Sequence, residues 1–228
     1  MMWHWLLAAA LLSGPMAAQD PAARLRAAGA TPEYIQQVTA EFAEAARDGL
    51  PVEPLVRKAL EGWAKRDRVP VERVVTVLAQ VRTRLTEGRE LARGAGVSTP
   101  PDALVTAAGE ALGRGLSTDD VRELVRAAPT APEAATGLMV AASLAAQGLE
   151  RAAAVRLVHD QMASRADGQS MLELPSALAD VLARGVPMSD IARQILAGGG
   201  LPGGIGGPPP GVPPRGGPPI TPPGRGSR

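Results

Sequence analysis

The chain contains no cysteine. That removes disulfides, thiol nucleophiles, iron–sulfur clusters and cysteine zinc sites, so the fold stands on packing alone. Histidine is almost as scarce: His4 and His159 are the two in 228 residues. A single histidine beyond the N-terminal segment, with no cysteine, cannot build a histidine-based metal cluster. Aromatic residues make up 2%, and Trp3 and Trp5 stand at the start, leaving Tyr34, Phe42 and Trp63 for an interior. The apolar mass is Ala, Leu and Val. Small side chains let helices approach closely, but each buries little area.

Charge of one sign is also missing. Lys and Arg total 24 against 23 Asp and Glu, for a net of +1. Acids and bases interleave without a basic stripe, and few aromatics are available for base stacking, which excludes a nucleic-acid partner. No apolar run approaches the roughly 20 residues that span a bilayer. No loop carries the DxDxDG pattern of a calcium site. No cofactor is implied.

The N-terminus reads MMWHWLLAAALLSGPMAAQDP. The apolar run Trp5–Leu12, followed by Ser13, Gly14, Pro15 and the small residues Ala17 and Ala18, fits a secretory signal peptide cleaved near Ala18. It lacks the usual Lys or Arg before the apolar run; a buried or membrane-tethering helix is the alternative. Without a following cysteine, a bacterial lipid anchor is excluded. The expected destination is the periplasm or the exterior of a bacterium, with no transmembrane span after processing.

A phrase recurs through the body: GLPVEPLV at 49–56, RVPVERVV at 68–75, GVSTPPDALV at 96–105, GLSTDDVREL at 115–124 and GVPMSDIARQ at 185–194. Glycine ends a helix because it adopts the left-handed conformation without steric cost. The hydrophobic residue after it packs back on the last turn, as in a Schellman cap. Proline then opens the next helix at its first position, or Ser117 or Thr31 caps it. Ser117 with Asp120 reads as a capping box with Asp in place of Glu.

Between the joints lie amphipathic stripes. In residues 52–66, Val52, Leu55, Val56, Ala59, Leu60, Trp63 and Ala64 share a face. Helices are predicted near 21–28, 32–48, 52–66, 70–93, 101–114, 118–128, 132–147, 149–166, 171–184 and 188–197. Leu50 to Val97 and Val69 to Leu116 repeat one spacing, so the unit is a helix pair of about 47 residues, the size of longer solenoid repeats. Two such units are fewer than a solenoid needs. The fold class is all-α: an irregular array of helical hairpins, either a short α-solenoid-like superhelix or a multi-helix bundle. Residues 1–18 are the signal, 19–197 the helical domain, and 198–228 a disordered Pro/Gly-rich tail whose removal should leave the melting temperature nearly unchanged.

The stretch GLPVEPLVRKALEGWAKRDRVPVERVV, residues 49–75, resembles a motif of uncharacterised exported bacterial proteins, in which Gly-hydrophobic-Pro joints precede an EG-x-AK segment. The resemblance implies an exported all-helical protein. It brings no activity, ligand or catalytic residue.

The search for chemistry finds little. His159 has Asp160 beside it in sequence, pointing to another side of the helix, and Ser164 five residues on, so no triad forms. Asp119 and Asp120 open a helix, where acids cap. Glu41 and Glu44 read as a solvated face. GRGLSTDD at 113–120 lacks the preceding strand and the GK[ST] ending of a phosphate loop. Gly62 is the exception, because a mid-helix glycine costs about 1 kcal/mol relative to alanine. It makes room for a second helix or for a small apolar pocket walled by Trp63. The tail, with its prolines and arginines, is either a linker or a docking segment for aromatic grooves or anionic surfaces. The expected function is a non-enzymatic scaffold or interaction module binding proteins of the cell envelope. The alternative is a carrier holding an apolar or lipid-like ligand between helices.

Overall fold

The computed structural model describes residues 20–164 and 168–202. The N-terminal segment read as a signal peptide ending near Ala18, and the chain beyond Pro202, lie outside the described residues. Ten α-helices form and no strand does among the described residues. Every expected helix is present with its ends within three residues of those predicted. The chain divides into two compact units, one through Gln80 and one from Val81.

The first unit holds α1 (Pro21–Ala27), α2 (Pro32–Arg47), α3 (Glu53–Ala64) and the start of α4 (Val71–Gly94). Its core is Leu25, Val38, Phe42, Ala45, Leu55, Val56, Ala59 and Leu78. The stripe read from the sequence therefore faces inward on α3 through Ala59. Arg24 forks onto the Glu53 carboxylate, with its second bond at 3.1 Å, and ties α1 to α3. The hydrogen bond from Arg24 holds the Glu53 carboxyl below its ordinary pKa.

The boundary between the units falls inside α4, the second helix of the first expected pair. The 47-residue period therefore marks where joints recur along the chain; it does not mark a compact unit. The second unit continues with α5 (Asp102–Gly113), α6 (Thr118–Ala127), α7 (Ala131–Ala146), α8 (Arg151–Ala163), α9 (Gly168–Ala183) and α10 (Met188–Leu196). It is a bundle wrapped on α7, which packs against α5, α6, α8 and α9. The reason is in the sequence of α7. From Ala134 to Ala146 it carries no charge, and Ala134, Gly137, Leu138, Ala141 and Leu144 are all buried. A helix apolar nearly all round is stable only in the middle. In a stacked solenoid each hairpin touches its neighbours alone; here α5 and α9 both reach the same helix.

The joints have the geometry expected of them. Gly49 sits at φ 66°, Leu50 N–H donates to Ala45 O at 2.9 Å, and Gly49 N–H to Ala46 O at 3.1 Å. That is the paired bonding of a Schellman cap, and Leu50 is buried behind it. The same long bond recurs from Val97, Leu116 and Leu149. Ser117 and Asp120 complete a reciprocal capping box at 3.2 and 2.7 Å.

Two details differ. Arg68 takes the glycine's place in RVPV, so α3 ends in consecutive turns without the long Schellman bond. The joint prolines also stand one or two places earlier than the first helical position. Pro101 and Pro187 are N-caps with ψ near 154° and 139°, and Pro51 precedes the N-cap Val52. Their fixed φ suits this extended approach to the helix as well as it suits the first turn. Prolines at the first helical position are found instead at Pro21 and Pro32.

The tail expected from Gly198 is tied back to the second unit through Pro202, with Gly200 and Leu201 buried. Gly198 takes φ 89° and Gly199 N–H donates to Gln194 O at 3.0 Å. Gln194 Nε2 donates to Gly200 O at 3.0 Å, and Arg184 to Pro202 O at 3.2 Å. Between them Leu201 is 1% exposed, in the core of the second unit. Composition suggested a tail because Gly and Pro dominate from Gly198; one leucine among them reverses that for the segment around it.

Candidate functional site

Gly62 and Trp63 lie near the end of α3. A Cβ placed on Gly62 would sit 2.7 and 2.8 Å from the two Val74 methyls and 3.0 Å from the Tyr34 hydroxyl. Of the two uses foreseen for this glycine, the structure displays the close approach of a second helix; the space beside it is filled by Val74 and Tyr34. Trp63 is half-buried. Its indole N–H donates to Ala28 O at 3.0 Å. Its ring meets Tyr34 at 5.1 Å between centroids, and the Arg66 guanidinium lies 4.6 Å above it. Tryptophan thus braces the end of α3 against the α1–α2 corner, a role that needs its polar edge as much as its apolar face.

Tyr34 completes the corner. Its hydroxyl donates to Ala59 O at 2.5 Å. Burial pushes its pKa up to about 12, opposed in part by a hydrogen bond from the Trp63 backbone N–H. The folded pKa is raised above the ordinary value of 10.0, so this contribution to stability is whole below pH 10.0 and is lost as the pH climbs to about 12. Tyr34 is the chain's single tyrosine, so its absorbance can be followed directly. Tyrosinate absorbance should appear near pH 12 in the native protein and near pH 10 in the urea-unfolded chain. Native titration near pH 10 would contradict the buried, bonded hydroxyl.

The second unit carries a different kind of feature. Helices α6 and α8 pack together and leave an open cleft of about 710 Å³ lined by Asp119, Arg122, Glu123, Arg126, Ala127 and His159. The amphipathicity of α6 explains its lining. Val121, Leu124 and Val125 turn into the core, so the residues between them are left on the outer face. Asp119 pairs with Arg122 at 2.6 Å. Arg126 reaches Gly94 O at 3.5 Å, a long bond, and has no carboxylate partner among the described residues. Glu123 has no cationic partner among them either.

His159 borders this cleft and is 37% exposed. Its neighbour Asp160 does not point away, as adjacency in sequence suggested; the two side chains come within 3.6 Å. That separation exceeds a hydrogen bond, and Asp160 is held instead by Arg156 at 2.7 Å, one turn back on α8. Ser164 donates to Gln161 O at 2.9 Å. No nucleophile–histidine–acid chain is formed by these residues. Asp120 works in its cap and pairs with Arg151 at 3.1 Å.

The sequence held a signal for half of this cleft. Arg122 and Arg126, four apart with Glu123 between them, stand on the polar face of α6. It held none for the other half, because the pairing of α6 with α8 across the intervening α7 is a tertiary fact. Gly88, Gly109 and Gly137, each a point of close helix approach, carry no local signal that sets them apart in the sequence.

Among the described residues no group of His, Asp and Glu is placed to hold a metal ion, and no helix is long and apolar enough to cross a membrane. The fold defines the class: an all-α protein. Comparison with known proteins finds no matching family model, no similar curated protein and no similar solved structure.

Proposed function

We propose that this protein is an exported, non-enzymatic interaction module of the bacterial cell envelope. The N-terminal segment ending near Ala18 directs its export, and a protein partner docks at the α6–α8 cleft. The observation that carries this reading is the charge state of the cleft. Arg126 and Glu123 both line it, exposed and with no ion-pair partner among the described residues. Exposed, unpaired charges of both signs around a concave surface suit a polypeptide segment that carries both signs, and give specificity and steering rather than bulk affinity. The kinship suggested by residues 49–75 fits the same reading and adds no activity to it.

The carrier reading is the weaker one. Its expected place beside Trp63 is occupied by Val74, Tyr34 and Arg66. An apolar ligand would also find little to prefer in a cleft lined by five titratable side chains.

Native mass spectrometry of the protein purified from its own envelope fraction tests both. The polypeptide mass reports cleavage near Ala18. A protein adduct present with the wild type and lost with Arg126→Glu supports docking at the cleft. A small adduct shed on gentle activation supports the carrier. A protein adduct indifferent to both Arg126→Glu and Glu123→Lys places the interaction elsewhere and overturns the cleft.

A further inference from the structure

We propose, resting on the docking reading above, that His159 sets the sign of the α6–α8 cleft. The partner segment held there presents acidic side chains, and it is held more tightly as the pH falls from 8 towards 5. The balance of charge around this one histidine carries the inference.

The charged residues of α6 that line the cleft are balanced: Asp119 and Glu123 stand against Arg122 and Arg126. His159 of α8 is the remaining titratable group of the lining. With His159 neutral the lining carries no net charge, and with His159 protonated it is positive. Histidine is the one side chain whose charge ordinarily changes between pH 5 and 8. Carboxylates and guanidinium groups ordinarily hold theirs over that range. His159 is the only histidine among the described residues, and it is partly open to solvent. One residue therefore decides the sign of the cleft.

The elements around α8 leave that charge uncancelled. On α8 itself, Asp160 comes within 3.6 Å of His159 Nδ1 but is held by Arg156 at 2.7 Å. Arg151 is taken by Asp120 of α6 at 3.1 Å, and Asp119 by Arg122 at 2.6 Å. Helix α10 also packs on α8, and its Asp190 and Arg193 pair with each other at 3.2 Å. Helix α7 contributes Glu133 alone, in its first turn. The acids and arginines of α6, α8 and α10 are equal in number, so a proton on His159 finds no carboxylate on these helices without an arginine to set against it. Glu123 and Arg126 are the two left outside these pairs, one of each sign. A concave surface with a net positive lining gathers anionic groups, and a carboxylate reaching Arg126 and protonated His159 forms charge-assisted hydrogen bonds. A basic segment is repelled by the same proton.

The test titrates the full chain at low salt with two synthetic octapeptides, one of alternating Glu and Gly and one of alternating Lys and Gly, at pH 8 and pH 5.5. Binding is followed by NMR through the His159 imidazole resonance, assigned by its loss in His159→Gln, and through backbone amides of α6. The acidic peptide should bind about three- to fivefold more tightly at pH 5.5, the scale of one exposed ion pair, and the basic peptide less tightly. His159→Gln should keep the pH 8 affinity and lose the gain. His159→Lys, positive at both pH values, should bind the acidic peptide tightly at both. Arg126→Gln should weaken it at both. By linkage, bound acidic peptide must move the titration of His159 to higher pH. Absence of acidic-peptide binding at pH 5.5, equal affinity at the two pH values, or a gain that survives His159→Gln overturns the proposal. The docking reading fails separately. An envelope adduct lost with Arg126→Glu but equally populated at pH 8 and pH 5.5 sinks only the role of His159, whereas an adduct indifferent to Arg126→Glu and Glu123→Lys overturns docking at the cleft whatever the peptides do.

Discussion

Cutting the chain after Pro202 should leave the melting temperature unchanged, while cutting it before Gly198 should lower it by about 5–15 °C. The two truncations differ by five residues, and one of them carries the effect. Leu201 is buried at 1% exposure within the second unit. Removing a fully buried leucine side chain costs about 2–5 kcal/mol, because the lost transfer energy is joined by a cavity that the surroundings fill incompletely. In a protein of this size each kcal/mol moves the midpoint by about 2–4 °C. The hydrogen bonds from Gln194 and Arg184 to the Gly200 and Pro202 carbonyls add less, about 1 kcal/mol each. Leu201→Ala in the full chain should therefore reproduce most of the loss by differential scanning calorimetry. Equal melting temperatures for the two truncations would show that the segment Gly198–Pro202 contributes nothing.

Much of this fold was legible because its signals are local. Each helix end is written in a few adjacent residues: a glycine that tolerates positive φ at Gly49 or Gly115, a leucine that folds back, and an acceptor at Thr31 or Ser117. The centrality of α7 was legible in principle, since an uncharged run from Ala134 to Ala146 can be satisfied only by burial on several sides. Other features were out of reach. The 47-residue spacing joined α3 to α4 as a pair, but the compact units part inside α4, because compactness follows contacts between distant residues. Leu201 was lost in a window of Gly and Pro whose composition outweighed it. His159 and Asp160 were separated by a rule about helix faces that ignores how far a side chain can turn. Half of the cleft was visible on α6; its other wall required knowing that α8 packs there.

The glycines of the second unit yield the sharpest energetic test, because distance alone ranks them wrongly. A Cβ on Gly137 would stand 1.8 Å from the Met162 methyl, and one on Gly88 would stand 2.9 Å from both Ala108 Cβ and the Gly109 backbone nitrogen. The shorter contact should be the cheaper one. Met162 meets Gly137 with the tip of an unbranched side chain that has three rotatable bonds, which can turn aside. At Gly88 the obstacle is backbone. A Cβ on Gly109, facing it, would likewise stand 3.0 Å from the Leu85 side chain and 3.3 Å from the Arg84 carbonyl, so the helices are close on both sides and α4 and α5 must part to admit a methyl. Overpacking of this kind costs about 1–3 kcal/mol, while alanine returns about 1 kcal/mol in helix propensity at either site. Gly137→Ala should thus come out near neutral, and Gly88→Ala destabilised by up to about 2 kcal/mol. Gly88→Leu should exceed both. A second change distinguishes the mechanisms. Met162→Ala in the Gly137→Ala background should cost less than Met162→Ala alone, since the new methyl occupies part of the cavity, with a coupling of about 1 kcal/mol. Ala108→Gly should not rescue Gly88→Ala, because the Gly109 nitrogen remains in place. Urea denaturation with unchanged m-values reads all of these. A larger loss for Gly137→Ala than for Gly88→Ala would mean that Met162 is held as rigidly as backbone and that α7, not the α4–α5 crossing, is the least yielding contact of the second unit.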